Sequence, residues 1–312
     1  MSIATLNSGT TPKSNFADSM TEYNQSFEPT FENKMKMITG HYAVPADLQP
    51  YIDSFWYVEN SGPETETSPW QYCLATGLVE IIIHIRPPYT HTGLMSGKRV
   101  DFPVSFLGGI HVEPVLFQMK GGCGMFGISC KPEMFLTLFN MPIGALADYF
   151  TDLRSIFGKS GDELTERIQD APSHENRVQE AVNFFRKRAA SPAQQDRYYF
   201  SEAMQYIRMG IGQHSVDDLC GKVFVGKRQL QRVFQENIGI SPKVYGRIIR
   251  FKSAYDYVRH HPETTWTEIS HHFGYSDQSH FIRDFRAFTG ENPTAFLSCF
   301  APQVYTPLAT TA

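Results

Sequence analysis

The stretches SVDDLCGKVFVGKRQLQRVFQENI, residues 215–238, and TWTEISHHFGYSDQSHFIRDFRAFTG, residues 265–290, carry one pattern twice. In the first, Ser215 precedes Val216, Leu219, Cys220 and Val223, an i, i+3, i+4, i+7 stripe, and Asp218 completes a capping box. That spacing predicts one short amphipathic helix. Phe224, Val225 and Gly226 break it, and Leu230, Val233 and Phe234 restart a stripe whose outward residues are Lys227, Arg228, Gln229, Gln231 and Arg232. In the second stretch Thr265 and Glu268 form the capping box, Trp266, Ile269, Ser270 and Phe273 the stripe, and Gly274 the turn. Ser276 is then the expected cap of a helix that buries Phe281, Phe285 and Phe288 and turns Gln278, Ser279, His280 and Arg283 outward. Two short helices across a tight turn, the second rich in exposed Arg and Gln, make a helix-turn-helix whose second helix fits a major groove, where Arg suits guanine and Gln adenine. A single match of this kind arises often by chance; a tandem pair is far more specific.

Between the two units, Ser241-Pro242 supplies an N-cap and a Pro at the first helical position. They open a long spacer helix through Tyr245, Ile248, Ile249, Tyr255 and Val258 that ends near Pro262. Charge gathers here. The 312-residue chain has net charge −4, yet Lys222 to Lys252 holds eight basic residues (Lys222, Lys227, Arg228, Arg232, Lys243, Arg247, Arg250 and Lys252) against the single acid Glu236. A local excess of that sign suits a polyanion, although a charge run by itself describes a solvated face equally well.

Further out, the length favours two domains over one core. Residues 1–36 lack apolar periodicity and read as a disordered tail. From His41 to about Gly127 short runs of β-branched and aromatic residues alternate with Gly and Pro, and Leu78 to Ile85 (LVEIIIHI) is nearly continuous apolar, as for a strand covered on both faces. A β-barrel or sandwich follows. After Pro132 the period turns helical, with Leu164 and Ile168 four apart and Val178, Ala181, Val182 and Phe185 at helical spacing. Arg188 to Asp196 is the expected linker. The five cysteines, Cys73, Cys123, Cys130, Cys220 and Cys299, are odd in number and never spaced as C-x-x-C, which fits a reducing cytoplasm better than a disulfide framework or a zinc site. No apolar run is long enough for a membrane span, and residues 1–36 do not read as a secretory signal.

The β region admits sharper readings. His84, His91 and His111 lack the closely spaced pair and carboxylate of a cupin-like metal site; His84 reads as a hydrogen-bonded core histidine and the other two as loop residues. Cys123 and Cys130 read as packing residues rather than a redox switch. Trp56, Trp70, Tyr72 and Phe106 could line a small-molecule pocket or simply fill the core. Gly121-Gly122-Cys123-Gly124 opens no helix and is a poor phosphate loop, and His271-His272 reads as a solvated face. The expectation is a protein with no catalytic residues, no metal and no cofactor.

Residues 215–296 resemble the AraC/XylS DNA-binding domain over its full extent, most specifically in LQRVFQENIGISPKVY and FGYSDQSHFIRDFRAFTG. The resemblance implies base-reading positions at Arg228, Gln231 and Arg232 in the first reader helix and at Gln278, Ser279, His280 and Arg283 in the second. From their charge, Lys222, Lys227, Lys243 and Arg247 join them as DNA contacts. Gly226 stands where that family usually caps with Ser, and Ile282 where it often has Ser or Thr. Residues 41–188 resemble, less closely, a β-rich domain of unknown function often joined to AraC-type readers, through YIDSFWYVENSG, GLVEIIIHI and FLGGIHVEPVLFQMKGGCGMFGI, with Ala75-Thr76-Gly77 in place of its usual Pro-Asp-Gly. The expected fold is α+β in two domains: a tail (1–36), a β-barrel or sandwich-like domain with following helices (37–190), an all-α double helix-turn-helix domain (197–300) and a second tail (301–312). The expected function is that of a cytoplasmic, sequence-specific transcription regulator, an activator in the first instance, although the sequence does not give the sign of regulation. Double-stranded DNA is its partner, and a small-molecule effector, RNA polymerase and a second copy of the chain are left open. The alternatives are a β domain that only dimerises or contacts polymerase and, more distantly, a cupin-like enzyme fused to a DNA reader.

The charge asymmetry generates a first prediction, because Arg259 to Cys299 holds three basic residues against five acids. The log–log salt dependence of DNA binding has a slope of about −0.9 per phosphate contacted. Neutralising Lys222, Lys243 or Arg247 should flatten that slope more than neutralising Arg286; equal flattening would show that both units anchor alike.

Overall fold

The computed structural model describes residues 37–87, 89, 91–95, 98–147, 150–189, 198–299 and 304–305, so the expected first tail and most of the expected linker lie outside the described residues, while within the expected second tail Val304–Tyr305 forms a short strand. The apolar run identified above forms β4 (Val79–Arg86). It lies in the middle of a sheet ordered β1-β2-β9-β4-β7-β10, with β1 Met37–Tyr42, β2 Ile52–Asn60, β7 Ser105–Gly108, β9 Gly124–Cys130 and β10 Phe150–Asp152. Its β-branched side chains suit a pleated strand with neighbours on both edges, and it pairs antiparallel with β9 (Val79↔Cys130, Ile82↔Gly127) and with β7 (Ile82↔Phe106). A second sheet, ordered β11-β3-β8-β5-β6, contains β3 Gln71–Cys73, β5 Thr92–Met95, β6 Lys98–Asp101, β8 Val115–Gln118 and β11 Val304–Tyr305. The two sheets are separate, so the β region is sandwich-like rather than a closed barrel.

One close approach sets the inner face. Trp56 on β2 pairs with Gly127 on β9, and its indole lies so near that a Cβ at Gly127 would come within 1.9 Å of the ring. Only glycine leaves room for the ring to lie over the neighbouring strand.

The following helices are α1 Glu133–Phe139, α2 Leu153–Phe157, α3 Lys159–Asp170 and α4 His174–Ala189. Leu164, Ile168, Ala181, Val182 and Phe185 are buried, as their spacing predicts, while Phe139, Phe157 and Phe184 gather in ring contacts between α1, α2 and α4. The next helix, α5 (Tyr198–Met209), was not anticipated, although Phe200, Ala203, Met204 and Ile207 are buried at i, i+3, i+4, i+7. Then come α6 Val216–Val223, α7 Lys227–Ile238, the spacer α8 Pro242–His260, α9 Trp266–His272, α10 Gln278–Thr289 and α11 Pro293–Cys299. No helix among the described residues is long and apolar enough to cross a membrane.

The core runs on from the β region into the helical one, as a single cluster of buried side chains extends from Val44 to Phe296. Several contacts join the halves. Arg208 on α5 forms an ion pair with the buried Glu133 on α1 and also donates from Nη1 to Tyr245 Oη at 3.1 Å. The Ile143 amide donates to the Asn237 carbonyl at the end of α7 (3.0 Å), and Tyr72 meets Phe296 edge to face at 4.9 Å. Removing one member of a buried ion pair leaves the other uncompensated and typically costs about 3–5 kcal/mol. Arg208→Ala should therefore lower the urea midpoint strongly and resolve the unfolding of the β region from that of the helices. A single unshifted transition would show that the ion pair does not join them.

Candidate nucleic-acid interface and inner cavity

The first unit is built from its caps. Ser215 Oγ accepts the Asp218 amide and Asp218 returns a carboxylate to the Ser215 amide, closing the capping box of α6. Phe224, in the left-handed region at φ 54°, ends α6; it is 93% exposed. Gly226 then starts α7 with no side-chain cap. On α7, Leu230, Val233 and Phe234 are buried, with Phe234 packed on Phe200 (5.2 Å) and Tyr245 (6.4 Å). Arg228, Gln231 and Arg232 share the exposed face with Lys227, and Lys222 and Lys243 are exposed beside it. Lys227 lies 3.4 Å from Asp217 and Arg232 3.9 Å from Glu236, both loose surface pairs that leave these cations accessible.

In the second unit Thr265 and Glu268 close the capping box of α9. The cap of α10 is Asp277, not Ser276: its carboxylate accepts the His280 amide at 2.7 Å, which holds that carboxyl below the usual aspartate range. Ser276 instead has its hydroxyl 3.2 Å from His280 Nδ1. Gln278, Ser279 and Arg283 are exposed and His280 is half-buried, while Gln278 Oε1 accepts from Thr267 on α9 at 3.0 Å. Of the expected contacts, Arg247 stands apart. Its guanidinium reaches the buried Asp284 of α10 at 2.8 and 3.1 Å and covers Phe288, so it ties the spacer to the second reader helix instead of offering a bare cation. Arg250 is engaged similarly, donating to the Gly212 carbonyl (2.7 Å) and covering Tyr275, and Lys252 pairs with Asp256. The basic window therefore contributes five exposed cations, Lys222, Lys227, Arg228, Arg232 and Lys243.

Residues 219–298 match the model of a helix-turn-helix domain, and residues 41–152 match a domain of unknown function (DUF6597). The chain joins an AraC-type helix-turn-helix domain to that β-rich domain. No curated protein matches it by sequence. Among solved structures it is similar to ToxT from Vibrio cholerae with an unsaturated fatty acid bound, at 12% identity and a TM-score of 0.41, over 88% of this chain and 99% of that one. The AraC-like transcriptional activator CuxR is similar at 11% identity and a TM-score of 0.27, over 70% of this chain and 86% of that one.

The AraC-type domain faces a β region with a cavity of about 50 Å3 between its sheets. Trp56 and Phe106 line it, as expected of two of the four aromatic candidates, whereas Tyr72 packs towards Phe296. The other walls include Ile82, Phe102, Phe117, Met125 and Phe150. Two polar residues on its lining went unrecognised as site residues. Glu80, the acid inside the LVEIIIHI run, accepts on Oε2 from Ser129 Oγ (2.9 Å) and Trp56 Nε1 (3.2 Å), and burial pushes its carboxyl up to about 7. His91 lies 2.7 Å from His84 across their rings and is held well below the usual histidine pKa by burial and by His84. The signal for Glu80 was a single acid with apolar neighbours on both sides. Cys123 and Cys130 are buried free thiols raised by burial, and no group of three or more His, Cys, Asp and Glu among the described residues is placed to hold a metal.

Two substitutions separate support from surface. Phe234→Ala empties a fully buried ring site and should cost about 3–5 kcal/mol of stability. Arg247→Ala should cost about 1–3 kcal/mol, because Asp284 is left buried without its donor. Arg228→Ala, on the exposed face, should change stability by less than about 0.5 kcal/mol. A neutral Arg247→Ala in denaturant titration would return Arg247 to the exposed set.

Proposed function

We propose that the chain is a sequence-specific DNA-binding transcription regulator in which α7 and α10 read two adjacent major-groove segments and the β region senses a small molecule. The observation that carries the DNA-binding part is the pair of helix-turn-helix units fixed on one spacer, each presenting Arg and Gln on the outer face of its second helix. Arg228, Gln231 and Arg232 are the base readers of the first unit, and Gln278, Ser279, His280 and Arg283 those of the second. Lys222, Lys227 and Lys243 hold phosphates. The bare N-terminus of α7 favours a phosphate at that end, since its free amides and helix dipole attract anions.

The sensing part rests on the loop between β3 and β4. Leu74 and Thr76 line the cavity, and Gly77, at φ +75°, sits so close to α8 that a Cβ would come within 2.9 Å of Ile249 Cδ1 and 3.2 Å of Tyr245. One four-residue turn thus touches both the cavity and the helix that spaces the readers. A ligand shifts such an equilibrium only by its differential affinity for the two states, typically about 1–3 kcal/mol.

Mapping the genomic sites bound by the full-length protein tests the reading directly, and scanning a recovered site tests the residues. Arg232→Ala should lose about 1–3 kcal/mol at one or two base positions; a uniform loss over all sequences would make Arg232 a phosphate contact. Gly77→Val should change operator affinity although it lies outside the DNA-facing surface. If Gly77→Val leaves operator affinity unchanged, this loop is not the route between the two parts.

A further inference from the structure

The cavity between the sheets is walled mostly by apolar side chains; of its polar lining residues, Thr76 accepts from the Leu78 amide, His111 lies against the Cys73 carbonyl, and Glu80 and His91 present acceptors. Glu80 Oε2 is fully used by Ser129 and Trp56, but Oε1 is buried and has no hydrogen-bond partner among the described residues. An ionised carboxylate only accepts, and a buried acceptor left empty is costly. Protonating Oε1 does not repair this, because the new O–H has no acceptor beside it. The histidine pair gives the second acceptor. His84 Nδ1 lies 2.9 Å from the Val104 carbonyl and so carries the hydrogen, which leaves His84 Nε2 as an acceptor. His91 Nδ1, 2.7 Å from that nitrogen, must donate to it, and the lone pair of neutral His91 is then on Nε2. Phe102, stacked on the imidazole at 4.1 Å, fixes the ring plane.

The charge around the cavity narrows the ligand. No Lys or Arg lines it, so a carboxylate ligand would meet Glu80 with no counter-charge. A cation meets a carboxylate oxygen with free lone pairs and several aromatic walls whose faces attract positive charge. The apolar walls require the rest of the molecule to be apolar, and a volume several times that needed by one water keeps it small. We propose that this cavity binds a small apolar primary or secondary amine, its ammonium on Glu80 Oε1 and His91 Nε2 and its hydrocarbon or aromatic body among Phe102, Phe106 and Phe117. The proposal rests on the sensing role given to the β region above and names the chemical class that it senses.

The pairing has a pH signature. Burial raises the Glu80 carboxyl to about 7, so the group gains its charge, and with it affinity for an ammonium, as pH rises from 6 to 8. Three of its titratable neighbours keep their state over that range. Burial raises the Cys73 thiol of β3 to about 12 and the Cys130 thiol of β9 well above its usual value, and His91 stays neutral. Asp53 of β2 adds negative charge that raises Glu80 further, and His111 shares the lining.

The test uses the full-length protein and four probes: 2-phenylethylamine, 3-methylbutylamine, 2-phenylethanol and 3-phenylpropanoate. Calorimetric titration and thermal shift should show binding of the amines, at least tenfold weaker binding of the alcohol, and none of the acid. Glu80→Gln should weaken amine binding at least tenfold. Should that variant fold poorly, the wild-type protein still decides, since its amine affinity should fall about tenfold from pH 8 to pH 6. Equal or better binding of the alcohol or the acid, an unchanged affinity in a folded Glu80→Gln, a flat pH profile, or no binding of either amine at millimolar concentration overturns the proposal. The two readings fail separately. Amine binding that depends on Glu80 but leaves operator affinity unchanged supports this site and removes the sensing role. An operator response to the acid or the alcohol alone keeps the sensing role and removes this site.

Discussion

Helix α8 carries a buried apolar surface on which α5, both reader helices and the turn before β4 pack. Tyr245, Ile248, Phe251, Ala254, Tyr255 and Val258 are all closed off from solvent, and they meet different neighbours as the helix turns. At its N-terminal end Tyr245 meets Phe234 of the first reader helix and Arg208 of α5. Further along, Phe251 and Tyr255 meet Phe285 of the second reader helix, and Tyr255 meets Phe296. An amphipathic surface helix buries one stripe; this one is apolar on several faces because partners surround it. A rigid spacer of 19 residues at about 1.5 Å rise each fixes how far apart the two reader helices can sit.

The arginines of α8 show why local charge density overstates a binding surface. Arg247, Arg250 and Lys252 lie in the most basic stretch of the chain, yet their cations engage Asp284, the Gly212 carbonyl and Asp256. A sequence window adds charges without regard to the direction each side chain takes. Arg247 and Lys243 lie one turn apart on nearly the same face of α8, but only Arg247 stands opposite Asp284 of α10, while Lys243 remains exposed. The electrostatic face is thereby concentrated on α6, α7 and the first turn of α8, and the second unit is left with few free cations.

Local chemistry was legible in the sequence where it depended on spacing. The capping boxes at Ser215 and Thr265, the Ser241-Pro242 start and the buried strand at Val79 all follow from residues within one turn or one pleat of each other. The cap of α10 was missed by one position because Ser276 and Asp277 are both good caps and only the backbone decides which side chain meets the free amide. Arg247, Glu80 and the His84–His91 pair depend on partners far away in the chain, and no periodicity encodes those. Trp56 and Phe106 were legible as pocket candidates but not separable from Tyr72, since all three are aromatic residues in or beside short strands and only the pairing of the sheets decides which side each ring takes.

The turn at Leu74 to Gly77 concentrates the link between the two regions. Gly77 occupies a left-handed conformation in which a side chain would be strained and would press on Ile249, so the turn that leads into β4 lies in contact with α8. Three residues later on the same strand, Glu80 reaches the cavity. A strand paired on both edges transmits a displacement along its axis poorly by bending, because its ladder resists, but it can shift as a unit with the turn that leads into it. In the sensing role proposed above, one short element leads from the cavity to α8, whereas the path through α3 and α4, whose buried faces, including Leu164, Ile168 and Phe185, belong to the same continuous core, is longer. Only two residues, Leu78 and Val79, separate Gly77 against the spacer from Glu80 at the cavity, which is why the proposed sensing role is placed on this turn.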